Sequence, residues 1–181
     1  SIDDILESIL RGAAKTLGCN SATLVVFNEL RQEVQIRVGL ILERRHELEQ
    51  IEPYLGGDVN AFVFAFDRAT RTELHRAWRE RTVIEVSSLS ELARGAFPEE
   101  MLRLADQFIG DRRFLNVPVL GEVHCHGVII FEKGGAQPFS PQQRGVLIQY
   151  ANRIGEIIEN ESHALPQAEP RPAGWTQRLV L

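Results

Sequence analysis

Leu115-Asn-Val-Pro-Val-Leu-Gly-Glu-Val123, Gly127-Val-Ile-Ile-Phe131 and Phe139-Ser-Pro-Gln-Gln143 are the three pieces of one stretch on which the reading of the fold depends. The first two are apolar and β-branched, and Gly121-Glu122 joins them, a short connection suited to a tight antiparallel hairpin of 113–120 against 123–131. Pro118 has no N–H to give a ladder, so the first strand should be irregular or edge-facing there. The third piece is a helix start, with Ser140 at the N-cap, Pro141 at the first helical position and Gln143 at the third. Val146, Leu147, Tyr150, Ile154, Ile157 and Ile158 follow at helical spacing and predict a long closing helix to about Glu161.

Upstream, Pro98-Glu-Glu opens a helix whose buried side should be Met101, Leu104, Ala105 and Phe108, ending at Gly110. Thr70-Arg-Thr-Glu73 has the capping-box spacing and predicts a helix over about 71–80 with Leu74, Ala77 and Trp78 on one face. A strand at 82–86 and a loop at 87–91 lie between these helices. The apolar run 60–66 reads as a strand, and 44–51 as a short helix that Pro53 ends. Ala22–Phe27 and Glu33–Val38 form a second hairpin, and the periodic apolar residues from Ile2 to Leu17 form a first helix that Gly18 stops.

With 181 residues, 44% of them apolar, the chain is sized for one domain with a substantial core. A net charge of -5 lacks the positive field that binds a phosphate backbone, so nucleic acid is not an expected partner. No apolar run approaches the roughly 20 residues of a membrane span, and no signal-peptide pattern opens the chain. Cys19 and Cys125 make no disulfide framework, which points to the cytoplasm. The start at Ser1 in place of Met, and Pro166, Pro170 and Pro172 near the other end, suggest a domain at 1–161 with a linker or the start of a following element at 162–181.

The order helix, hairpin, strand, helix, strand, helix, hairpin, helix, together with the pieces at 115–123, 127–131 and 139–143, resembles the GAF domain over about residues 3–160. Ala77-Trp78-Arg79 and the Ser87-Ser-Leu-Ser-Glu loop are similar to the middle of GAF domains attached to sensor kinases. The resemblance implies an α+β fold: a mostly antiparallel central sheet, N- and C-terminal helices on one face, middle helices and loops on the other. It also implies a non-catalytic regulatory domain that binds a small molecule or relays a signal to an output domain in a larger bacterial signalling protein. The rival reading is a ligand-free module that dimerises and couples its neighbours. A third is a redox or metal sensor built on His124, Cys125 and His126.

In a strand, His124 and His126 would share one face with Cys125 on the other. A metal site needs three or four ligands and no companion motif supplies them, so no metal site is expected. Mid-strand Cys125 and Cys19 beside Gly18 read as inert thiols. No phosphate loop, paired-carboxylate motif or nucleophile elbow is present in the sequence, and it identifies no cofactor. If a ligand binds, the resemblance places it between the sheet and the middle helices, where Phe64, His75, Trp78, Asn116, His124 and His126 are the candidates. Ile2, Ile5, Ile9 and Leu10 of the first helix, with Ile154, Ile157 and Ile158 of the last, carry apolar groups on more than one side of their helices, which points to a homodimer.

Overall fold

A computed structural model of the chain describes residues 1–42, 63–65 and 72–164, and elements are numbered over these. They are α1 (Ile2–Thr16), β1 (Ser21–Asn28), β2 (Glu33–Ile41), β3 (Val63–Ala65), α2 (Glu73–Glu80), β4 (Ile84–Val86), α3 (Leu89–Leu92), α4 (Glu99–Ile109), β5 (Arg112–Leu120), β6 (Cys125–Gly134) and α5 (Pro141–Ala164). The six strands form one antiparallel sheet in the order β3-β2-β1-β6-β5-β4. The expected α+β architecture is therefore observed. The helix expected at 44–51, the remainder of the 60–66 strand and the Pro-rich segment lie outside the described residues.

Alternation along the strands divides the core between the two faces. Leu115, Val117, Val119, Ile129 and Phe131 pack with Leu6, Leu10 and Ala13 of α1 and with Leu147, Ala151, Ile154 and Ile158 of α5. Phe114 and Val128 on the other face pack with Ala77 of α2, with Ile84 and Val86, and with Leu92 of α3. Reciprocal caps fix where the two long helices begin. Ser1 accepts from the Asp4 N–H while the Asp4 carboxylate reaches back to the N-cap backbone, and the Ser140–Gln143 pair does the same at α5, at 3.1 and 2.8 Å.

Pro118 behaves as its chemistry requires, because β4 pairs only with Phe114–Asn116 and leaves β5 without that neighbour further along. Four local readings are corrected. The N-cap of α2 is Thr72, whose hydroxyl accepts from the His75 N–H, and Glu73 is the first helical residue. The 87–91 loop contains the single turn α3, capped by Ser88 and by the Asp106 carboxylate, which accepts from the Leu89 and Ser90 N–H groups at 2.6 and 3.0 Å. Because α4 presents Leu102 and this capping Asp106 to the body, Leu104 (53% exposed) and Phe108 (51%) face outward instead of inward. The hairpin turn sits one residue later than expected, with Gly121 N–H donating to His124 O at 2.8 Å and Glu122-Val123 at the tip.

The ladders are interrupted at two points, both facing the terminal helices. Between Leu24↔Val38 and Val25↔Ile36, β2 carries one extra residue, Arg37. Between Val119↔Gly127 and Leu120↔Cys125, β6 carries one extra residue, His126. Each is a β-bulge, which leaves its residue out of register and redirects the side chain.

Candidate functional site on the α2 face

On the sheet face covered by α2, three aromatic rings gather. The Trp78 indole stacks on Phe27 with centroids 4.7 Å apart and 13° between planes, and His75 meets Phe27 edge-on at 5.9 Å. Trp78 Nε1–H donates to the Cys125 carbonyl at 2.9 Å, which satisfies the indole and pins it to β6. His75 is buried. Burial, with Arg79 nearby, pushes its pKa below the ordinary histidine value and leaves it neutral at pH 7.

Asn116 lies on this same face, opposite Ile84 on one side and Ile130 on the other. It is fully buried. Its Nδ2 donates to the Ile84 carbonyl at 3.1 Å, and a carbonyl takes only a donor, so the amide orientation is fixed. Oδ1 is left as a buried acceptor with no hydrogen-bond partner among the described residues. Leaving a buried polar atom unmatched costs about 1–3 kcal/mol, so such an atom calls for an explanation.

The structure divides the other candidates. Phe64 takes the register position opposite Val34, which is itself opposite Phe27. His124 is exposed in the turn, outside β6, and so does not share a strand face with His126. His126 leaves the α2 side altogether. Alternation back from Ile130 and Val128 would aim it at α2, but the bulge turns it to α5, where Nε2 lies 2.6 Å from Glu159 Oε2. Hydrogen bonding from His126 lowers the Glu159 carboxyl below its usual range. His75, Trp78 and Asn116 thus share one face, while His124 and His126 lie elsewhere. Phe27 was missed by the sequence reading, although its place at the end of an apolar strand beside an Asn turn was the available signal.

The thiols are poor nucleophiles. Burial pushes Cys19 up to about 11 and also raises Cys125, whose Sγ donates to the Gly127 carbonyl at 3.3 Å. Among the described residues no group of three or more His, Cys, Asp or Glu is placed to hold a metal ion. No helix of the described residues is long and apolar enough to cross a membrane.

An antiparallel sheet thus lies between a terminal helix pair on one face and shorter helices on the other, with Asn116 and the aromatic cluster on the second face, an α+β module. The GAF domain family model matches residues 1–160, and the chain belongs to that family. No curated protein matches it by sequence. Among solved structures it is similar to the GAF domain of Acinetobacter phosphoenolpyruvate-protein phosphotransferase, with 13% identity, TM-score 0.66, and 93% of this chain and 88% of that one covered. It is also similar to a GAF domain/HD domain protein from Geobacter sulfurreducens (12%, TM-score 0.66, 90% and 95% covered). The GAF-B domain of DevS from Mycobacterium smegmatis is a further relative in shape (16%, TM-score 0.60, 88% and 94% covered). At these identities the likeness is one of fold. The expected family is established, and with it a regulatory or sensory class of domain.

Proposed function

We propose that this is a non-catalytic sensory domain that binds a small molecule bearing an N–H donor on the α2 face and passes the event to an output domain through α5. The observation that carries this reading is Asn116 Oδ1, a buried acceptor fixed in orientation and unmatched, set on the face that also holds neutral His75 and the Trp78–Phe27 stack. Such a wall offers a flat apolar surface and one convergent polar atom, the usual make-up of a small-molecule seat. No formal positive charge belongs to this trio, which favours neutral amides and nitrogen heterocycles over anions.

The test is a thermal-shift screen of amides, amines and N–H heterocycles. A compound present at about 100 times its dissociation constant stabilises the native state by about 2.7 kcal/mol. Asn116→Leu should weaken a hit by about ten- to a hundredfold, the cost of an unmatched donor. Equal binding by this variant would remove Asn116 from the site. A cytoplasmic location, the lack of a metal site, and a linker or the start of a following element after α5 belong to the same proposal.

The dimer reading is favoured by one observation of its own. Ile5 is 52% exposed on α1, with Ile2, Ile9 and Ile157 only partly covered beside the core. Leu10, Ile154 and Ile158 are buried within the protomer and are not free to pair. A second copy of this chain, packed through Ile2, Ile5, Ile9 and Ile157, is the proposed occupant of that face. Wild type should sediment as a dimer at micromolar concentration and Ile5→Glu as a folded monomer. A monomeric wild type would leave the α1 face without this role.

A further inference from the structure

We propose that the β6 bulge at Cys125-His126 couples the α2 face to the last turns of α5, with Trp78 and His126 as positioning residues on its two sides. This coupling rests on the sensory reading for its purpose, as the route of transmission, but its test needs no ligand. On one face, Trp78 Nε1–H holds the Cys125 carbonyl at 2.9 Å. That carbonyl belongs to the peptide linking Cys125 to His126, and a peptide is a rigid plane, so rotating the carbonyl rotates the next residue. On the opposite face, His126 Nε2 holds Glu159 Oε2 of α5 at 2.6 Å.

The register explains why this point can move. As the extra residue of β6, His126 has no counterpart on β5, so a rocking of its peptide leaves the ladder pairs on both sides intact. There is little slack to absorb the motion. A Cβ on Gly121 would overlap both Glu159 and His126, and a Cβ on Gly155 would overlap the Leu120 backbone, so α5 and the hairpin end are in close contact here. His163 and the Glu122 backbone also favour the charged form of Glu159, and both sit on the helix and turn that would shift together.

The second bulge supplies an internal control. Arg37 donates to Glu161 of α5 at 3.0 Å and to Asp3 of α1 at 2.9 Å, so it too anchors the end of α5. It sits on β2, and these two carboxylates connect it to the terminal helices and not to Trp78. An effect travelling from Trp78 through His126 should therefore involve Glu159 and bypass Glu161.

Amide hydrogen exchange at 156–163, referenced to 143–150 of the same helix, tests this in Trp78→Phe, Glu159→Gln, Glu161→Gln and the doubles that combine Trp78→Phe with each glutamine. Trp78→Phe keeps a ring for Phe27 to stack on and removes the N–H donor. Each single substitution should speed exchange at 156–163 by about three- to tenfold, the range expected for losing one partly buried hydrogen bond. The Trp78→Phe/Glu159→Gln double should be no faster than the faster single, because both cut one route, while Trp78→Phe/Glu161→Gln should show the product of its singles. Unchanged exchange at 156–163 in Trp78→Phe, or multiplying effects in the Glu159 double, would overturn the proposal. A ligand screen without hits would leave this result standing, so the two readings fail separately.

Discussion

Gly155→Ala should destabilise the protein by about 2–3 kcal/mol, although Ala is better than Gly in a helix interior by about 1 kcal/mol. The reason is local. At Gly155 the backbone of α5 lies against the Leu120 backbone, where a Cβ would overlap the carbonyl oxygen, and neither backbone is a flexible side chain that can swing aside. The helix must lift from the hairpin, which opens the packing of Ile154 and Ile158 on the sheet. Gly145 lies ten residues earlier in the same helix, and a Cβ there would have nothing within 4 Å. Gly145→Ala should therefore stabilise by about 0.5–1 kcal/mol. Urea unfolding of the two variants checks both signs. A stabilising Gly155→Ala would mean that α5 is not seated on Leu120.

Glu85→Gln should cost about 3 kcal/mol at pH 7, the usual loss when a buried ion pair is deprived of one partner. The Glu85 side chain is 4% exposed and joins three elements. It accepts from Arg113 of β5, from Arg144 of α5 at 2.9 Å and from the Phe139 N–H at 3.1 Å. Burial pushes its carboxyl up, but the bonds from Arg113, Phe139 and Arg144 outweigh burial and hold it below the usual 4.5. With the folded value depressed, the unfolded chain binds more protons in the window between the two values. The stabilisation is thus complete above the usual carboxylate value and is lost as pH falls through the folded one. The gap between wild type and Glu85→Gln should be widest near neutrality and narrow below about pH 4.5. A gap that stays constant from pH 7 to 3 would show that the charge of Glu85 is not what binds β4 to α5.

Much of this architecture was legible because the signals were local. The Ser140-Pro-Gln-Gln143 cap, the β-branched apolar runs of β1 and β5, the alternation in β2 and the helical stripe of α5 each state a period or a boundary within a few residues. Hairpin residues could be placed on strands from such signals, but His126 could not be placed on a face. One bulged residue inverts the alternation after it, and nothing in Val123-His-Cys-His-Gly127 announces the bulge. The α4 stripe misled for a related reason. Met101, Leu104 and Phe108 are correctly periodic, yet Asp106 is the residue drawn inward because the N–H groups of α3 need an acceptor. Asn116, Trp78 and His75 were identified as types suited to a pocket. That they share a face while His126 serves α5 is a fact of tertiary register.

In the function proposed above, the face bearing His75, Trp78 and Asn116 receives a ligand. Amide and indole NMR shifts of the labelled protein, titrated with the tightest hit from the N–H donor screen, test it most directly. The largest shifts are expected at the Asn116 side-chain amide, the Trp78 indole N–H and residues 73–80, with smaller ones at Cys125 and His126. Shifts confined to the exposed Leu104–Phe108 side of α4 or to the Ile2–Ile9 side of α1, with the Asn116 amide unmoved, would contradict it.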